Sequence, residues 1–392
     1  MSDSLAAAVA RRRFLQVTGA GLATLSLPRA AWAREEGKSP LIVREASPLN
    51  AEAPLHLLPR SWTTPTELLF VRSHSKKLPQ IDPKDFRLKI EGMVDKPQEL
   101  SLADLAKMGK LLKTHATLTC AGNRREEHSA IKKVGGVQWG AGAIGNVEWE
   151  GVSLRDVLAK IGVKPGAKHV WFEGLDEVEH GDQVEPFGGS IPLQRLSSKN
   201  IPELLATRMN GAPLTIEHGF PLRAVVPGYI GARSVKWLGK IVVSDRPSPN
   251  HYLADAYKIV QTLDEEAFAK AEPIYGNVLN SAICLPAAGE SLQAGKQTVA
   301  GWALPSGDPN GLISKVEVSL DGGDWQEAKL ENERQPFCWA LWQLSVDLPR
   351  GKHKLTVRAT DALKNRQPEK TEWNAKGYLY NGWHSVEVMV DA

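Results

Sequence analysis

Thr114-His115-Ala116-Thr117-Leu118-Thr119-Cys120-Ala121-Gly122-Asn123-Arg124-Arg125 reads as a β-strand that ends on a cysteine, followed by a Gly-Asn turn and two arginines. The Gly-Asn turn halts the strand just where the thiol is presented. A thiol beside two guanidiniums is favoured as thiolate, which is the form that ligates a metal or attacks as a nucleophile. The stretch by itself leaves both roles open. Candidate bases for a nucleophile are His115 and His128.

The residues around this stretch supply its context. Leu68-Leu69-Phe70-Val71-Arg72-Ser73-His74 is an apolar run with a polar end and predicts a strand that delivers Arg72 and His74. Asp85–Met93 alternates, and Ser101 and Ser153 are in position to cap short helices. Gly135-Gly136-Val137-Gln138-Trp139-Gly140 is a glycine-dense loop, and His169–Asp176 predicts a strand with Asp176 at its end. His218, Arg223, Arg233, Ser234 and Lys236 then place several donors within a short span rich in Gly and Pro. Arg forks, Lys point charges and loop amides are how phosphate is held, so this cluster points to a phosphate-bearing cofactor. Neither G-x-G-x-x-G after a strand nor G-x-x-x-x-G-K is present, which excludes the common dinucleotide and P-loop fingerprints. Tyr257 is a candidate proton-handling phenol.

The chain has 392 residues, 42% apolar and 24% charged, a balance that fits two or three ordinary globular domains. No apolar run is long enough for a membrane span. Arg11-Arg12-Arg13-Phe14-Leu15, a mild apolar run and Ala31-Trp32-Ala33 predict a twin-arginine export signal over residues 1–33, and with it a periplasmic location. That route carries folded proteins, often with a cofactor already inserted. Lys and Arg number 48 against 45 Asp and Glu, and residues 1–33 hold four of the former and one of the latter, leaving the remainder balanced. Such neutrality gives no general case for nucleic acid or acidic membranes. Residues 34–60 read as an extended, Pro-rich lead-in. The cysteines Cys120, Cys284 and Cys338 are too few for a disulfide framework; the last two either pair or stay buried as thiols. No Cys-x-x-Cys-His occurs, so the sequence shows no c-type haem site.

From about Tyr275 the texture changes. Ile313–Leu320 alternates, Asp321-Gly322-Gly323 turns, Trp325 begins a return, and Trp339–Leu348 and His353–Ala359 alternate again. Short strands punctuated by Gly, Pro and Asp predict an immunoglobulin-like β-sandwich, a module that more often mediates contacts than chemistry.

Cys120–Arg125, His218-Gly219-Phe220-Pro221, Ala232–Leu238, and Trp373-Asn374 with Asn381–His384, taken in order, resemble the motifs of the sulfite oxidase family of molybdenum enzymes. The resemblance implies an α+β fold, with a mixed α/β molybdopterin domain over 34–262 and a sandwich dimerisation domain over 263–392. It implies that Cys120 is the one protein ligand to molybdenum, beside a single molybdopterin. Phe70, Val71, Arg72, Ser73, His74, Asp176, His218, Arg223, Ser234, Val235 and Lys236 would hold that pterin and its phosphate. Arg72, Arg125, Trp139 and Tyr257 would line an anion pocket, completed by Lys376 where many members have arginine. Ala256 stands where the family has Asp before the pocket tyrosine. The implied activity is oxidation of sulfite to sulfate by a homodimer, with electrons leaving to an external c-type cytochrome. The alternative with the same cofactor is a reductase of sulfoxides or related oxyanions; a cofactor-free anion-binding protein and a cysteine hydrolase are rivals of other classes.

Overall fold

The computed structural model describes residues 40–198 and 202–391, within a compact unit that spans Pro40–Ala392. The expected export signal lies outside the described residues. The opening stretch is the strand Leu111–Thr119, antiparallel to Ile144–Ser153, with Cys120 immediately past its end. Leu204–Met209 pairs with the far side of Ile144–Ser153, and Arg223–Val225 pairs with Leu204–Met209. A second sheet runs in the order Gly188–Pro192, His169–Gly174, Leu238–Ser244, Leu88–Gly92, Gln98–Leu100, and only the Leu238–Ser244 and Leu88–Gly92 pair is parallel. The apolar faces of these strands and of the helix Leu154–Ile161 close over one core that includes Leu88, Ile90, Val157, Ile161, Phe172 and Ile241. Ser101 and Ser153 cap their helices as the sequence predicts, each accepting a backbone N–H three residues on.

The C-terminal part is the predicted two-sheet sandwich. Asn280–Leu285, Gly295–Leu304, Ala340–Leu348 and Lys329–Leu330 form one sheet; Ser291–Gln293, His384–Asp391, Gly351–Asp361, Ile313–Leu320 and Trp325–Glu327 form the other. Inward residues such as Val316, Val318, Leu355, Val357, Val386 and Val388 alternate along the strands and meet between the sheets. The mixed α/β part and the sandwich are joined by a shared apolar cluster in which Ala141 and Ile144 meet Cys284, Trp302 and Trp339. Thr117 adds a reciprocal pair: its N–H donates to Phe337 O at 2.9 Å, and its hydroxyl accepts from Trp339 N at 2.8 Å.

Two expectations are corrected. Residues 34–60 are not all loose lead-in, because Ile42–Glu45 and Asn50–Glu52 pair with each other and Asn50–Ala51 pairs with Val71–Arg72. Asn50 and Glu52 are buried, so this segment is packed structure whose polar side chains have partners elsewhere. The run Leu68–His74 holds only the two-residue strand Val71–Arg72, preceded by a 3-10 turn at Thr66–Leu68. Cys284 and Cys338 are both free buried thiols, and burial pushes both thiols to high pKa, Cys338 to about 12.

Candidate active site

Cys120 is buried at the end of its strand, and the N–H of Gly122 points at its Sγ from 3.4 Å. The turn is tight for a reason: a Cβ on Gly122 would stand 2.6 Å from Cζ of Arg125. Arg124 takes a left-handed φ of 67° and starts the helix Arg125–Ile131. Its buried side chain turns away from the sulfur, pairs with Glu127, and donates to Asn280 Oδ1 at 2.6 Å in the sandwich. The two arginines thus divide their work: Arg124 fastens the turn to the C-terminal part, and Arg125 faces the site.

The Cys120 sulfur opens on a cavity also lined by Phe70, Arg72, Ser73, His74, Asp176, Phe187, His218, Arg223, Ser234, Lys236, Trp237 and Tyr257. Its far end is dominated by buried cations. Burial brings Arg223 down to about 9, and burial together with neighbouring Arg223 brings Lys236 down to about 7. His218 falls to about 3, from burial and the charges of Lys236 and Arg223, and is therefore neutral. Arg223 is fixed by the carbonyls of His218 (3.0 Å) and Ser234 (2.9 Å), and Lys236 donates to the Glu217 carbonyl at 2.8 Å. Asp176 is the acid facing this group; burial raises its pKa while Lys236 lowers it, and its carboxylate accepts the Phe187 N–H at 3.2 Å.

The mouth is a funnel lined by Arg44, Arg72, His74, Arg125, Tyr252, Lys376 and Tyr378, among others. Arg72 and His74 line both spaces and mark where funnel meets cavity. Arg72 is aimed by Asn50 Oδ1 at 2.9 Å. Arg125 is held from both sides, by Val137 O at 2.9 Å and Lys376 O at 3.1 Å. Gly377, at φ 62°, makes the second contact possible, because a Cβ there would meet Arg125 Cγ at 2.8 Å. Behind the turn, buried Glu52 accepts the N–H groups of Gly140 (3.1 Å) and Gly142 (3.3 Å) and pairs with Arg44. Burial, the largest influence on Glu52, raises its pKa against the opposing pull of Arg44.

The structure therefore gathers Phe70, Arg72, Ser73, His74, Cys120, Asp176, His218, Arg223, Ser234, Lys236 and Tyr257 around one cavity, with Arg125 and Lys376 at its mouth. Three residues do not line it. Trp139 is fully buried in the apolar cluster that also holds Leu69, Phe70 and Cys120, on neither the cavity nor the funnel wall, which corrects its expected place in the anion pocket. Val71 is a buried strand residue, and Val235 packs into the core beside Leu222 and Leu238. Neither candidate base serves Cys120: His115 bonds Thr63 and packs on Trp62, and His128 faces the Tyr378 carbonyl at 3.2 Å. Tyr378, Phe187 and Arg44 were not singled out from the sequence. Tyr378, one of two tyrosines in Gly377-Tyr378-Leu379-Tyr380, carries no signal of its own; only its place two residues after Lys376 hints at the pocket.

Two family models match the chain: an oxidoreductase molybdopterin binding domain over residues 75–252 and a Mo-co oxidoreductase dimerisation domain over residues 271–391. Sulfite oxidase of Gallus gallus is 39% identical over 358 residues, covering 88% of this chain and 77% of that protein. The mitochondrial sulfite oxidase of Homo sapiens is 40% identical over 365 residues, covering 89% of this chain and 66% of that protein. The chain thus spans slightly under two thirds of that relative's length. The solved structure of the sulfane dehydrogenase SoxCD from Paracoccus pantotrophus superposes with a TM-score of 0.78 at 27% identity, covering 94% of this chain and 93% of that one. Fold, site and relatives together define a molybdopterin oxidoreductase. The chain belongs to the sulfite oxidase family.

Proposed function

We propose that the chain is a sulfite dehydrogenase, exported by the twin-arginine route to the periplasm, dimeric through its sandwich, and served by a c-type cytochrome as electron acceptor. One observation carries the reading: the buried Cys120 thiol shares a cavity with the buried Arg223 guanidinium and the partly buried Lys236 ammonium. Lys236 and Arg223 are pulled down to about 7 and about 9 because burial penalises their charge. A buried, depressed cation is what an anionic ligand relieves, so the donor set fits a pterin phosphate. Among the described residues no group of three or more His, Cys, Asp and Glu gathers as a metal cage, so Cys120 offers a metal one soft protein ligand. Molybdopterin bound here would supply the two-electron, oxygen-transfer chemistry.

The protein's own residues bind, orient and move protons. Arg223, Lys236, His218, Ser234 and Asp176 would hold the phosphate and pterin end, with Phe70, Ser73 and His74 along the wall. Arg72 and Arg125 present guanidiniums to an entering oxyanion, a geometry suited to paired hydrogen bonds. Tyr257 hydrogen-bonds His74 Nε2 at 3.0 Å, which gives a proton near the site a protein route. With no c-type haem motif in the sequence, electrons would pass to a separate carrier.

The test is metal analysis of the purified chain together with sulfite-dependent reduction of cytochrome c. One molybdenum per chain with sulfite-dependent reduction supports the reading, and cell fractionation checks the export. Folded protein free of molybdenum ends it, as does a Cys120→Ser variant that retains activity. Sulfoxide-dependent oxidation of a reduced dye, without sulfite oxidation, would favour the reductase instead.

A further inference from the structure

The sandwich contributes more to the site than its backbone. The segment after Trp373 crosses back onto the catalytic part, where Ala375 N donates to Val260 O and Leu379 N to Ala121 O, both at 2.8 Å. It brings two side chains to the funnel, Lys376 and Tyr378. The Lys376 ammonium lies toward the Phe268 ring, 5.6 Å from its centroid, and the Lys376 carbonyl is the group that meets Arg125. Tyr378 is placed differently. Its ring stacks on Tyr257 at 5.2 Å and 24°, and the Arg125 guanidinium sits 5.1 Å from its centroid. It is buried, and its phenol lies within the fields of Arg125, Arg72 and the Cys120 sulfur.

The three hydrogen bonds that anchor this tyrosine run through its backbone. Asn374 Oδ1 takes its N–H at 3.0 Å, and Asn374 Nδ2 and His128 Nε2 meet its carbonyl at 2.9 and 3.2 Å. This latch fixes the ring while leaving the hydroxyl to the funnel. A phenol held by its backbone latch and ring stack, on a wall shared with Arg72 and Arg125, costs little further ordering when it donates to an anion that both arginines attract.

Resting on the proposed sulfite reaction, we infer that Tyr378 is a substrate-contacting residue that donates a hydrogen bond to a small oxyanion held by Arg72 and Arg125. Lys376 attracts the same anion from further out. Tyr378 is thus a substrate-binding side chain that the sandwich lends to the site.

The experiment compares Tyr378→Phe and Lys376→Met holoenzymes with wild type, with metal content confirming equal loading. Steady-state sulfite oxidation with an artificial acceptor gives kcat and KM, and calorimetry gives the affinity for sulfate. Phe keeps the ring stack and removes only the donor. Tyr378→Phe is expected to raise KM for sulfite and weaken sulfate binding on the order of tenfold, leaving kcat almost unchanged. Lys376→Met is expected to give a smaller loss that vanishes at high salt. Unchanged KM and sulfate affinity in Tyr378→Phe, or a loss confined to kcat, overturns the assignment and leaves the proposed function standing. A wild-type enzyme that fails to oxidise sulfite overturns the proposed function, and this assignment falls with it.

Discussion

The hydroxyl of Tyr257 and Nε2 of His74 stand 3.0 Å apart at the junction between cavity and funnel. Burial and the charge of Arg72 hold the His74 imidazolium far below its ordinary pKa, and burial raises the Tyr257 phenol. The neutral imidazole therefore accepts and the phenol donates. We expect Tyr257→Phe to lower kcat by roughly a hundredfold. Steady-state kinetics checks this, and an unchanged kcat would mean that the pair only packs.

Lys236 provides a direct reading of the phosphate site in chain freed of cofactor. Its pKa of about 7 leaves the amine largely neutral at mildly alkaline pH. An anion bound beside it raises that pKa, so binding takes up a proton and weakens as pH rises above about 7. Calorimetry of inorganic phosphate in two buffers of different ionisation enthalpy is expected to show more proton uptake in wild type than in Lys236→Met.

Acid is expected to destabilise the fold through histidines kept neutral. His218 is lowered to about 3 and His384 to about 4, both chiefly by burial. The unfolded chain binds protons at these imidazoles below its pKa of about 6.5, while the folded chain does not. Stability is thus fully present above that value and is lost as pH falls toward the folded pKa values. The slope is on the order of 1 kcal/mol per pH unit for each imidazole that resists protonation. Urea unfolding between pH 7 and 5 checks it, and His384→Gln should flatten part of the slope.

Glu52 supports the loop behind Cys120 by satisfying two buried amides and Arg44. Glu52→Ala leaves those donors without a partner and is expected to cost about 3 kcal/mol in urea unfolding. Glu52→Gln keeps one acceptor and should cost less. Molybdenum content of the two variants should fall in the same order.

Much of the site was legible because its residues belong to local patterns. Cys120 ends one strand, Asp176 follows another, and His218 to Lys236 crowd donors between Gly and Pro. The sandwich was legible for the same reason, since Ile313–Leu320 and His353–Ala359 alternate around short turns. What escaped was set by distant partners. Arg124 and Arg125 are neighbours of one type, yet Asn280 captures one and Lys376 the other, more than 150 residues away in each case. Trp139 sits in a glycine-dense loop, and its ring is fully buried in the apolar cluster that also holds Cys120. Asn50 and Glu52 lie in a segment that reads as unpacked because their partners, Arg72, Gly140 and Gly142, are remote in sequence.

The return of residues 373–379 onto the Cys120 turn has a consequence for biosynthesis. Arg125 meets Lys376 across 251 residues of sequence, so the ribosome delivers that part of the pocket wall long after the thiol has emerged. A nascent chain that has reached the end of the mixed sheets already carries Cys120, Arg223 and Lys236, but its pocket still lacks one side. In the order of synthesis, residues 373–379 are thus the last part of the pocket wall to be made. A chain terminated before Trp373 loses that wall and, with it, the strand His384–Asp391 that lies between Ser291–Gln293 and Gly351–Asp361 in the sandwich.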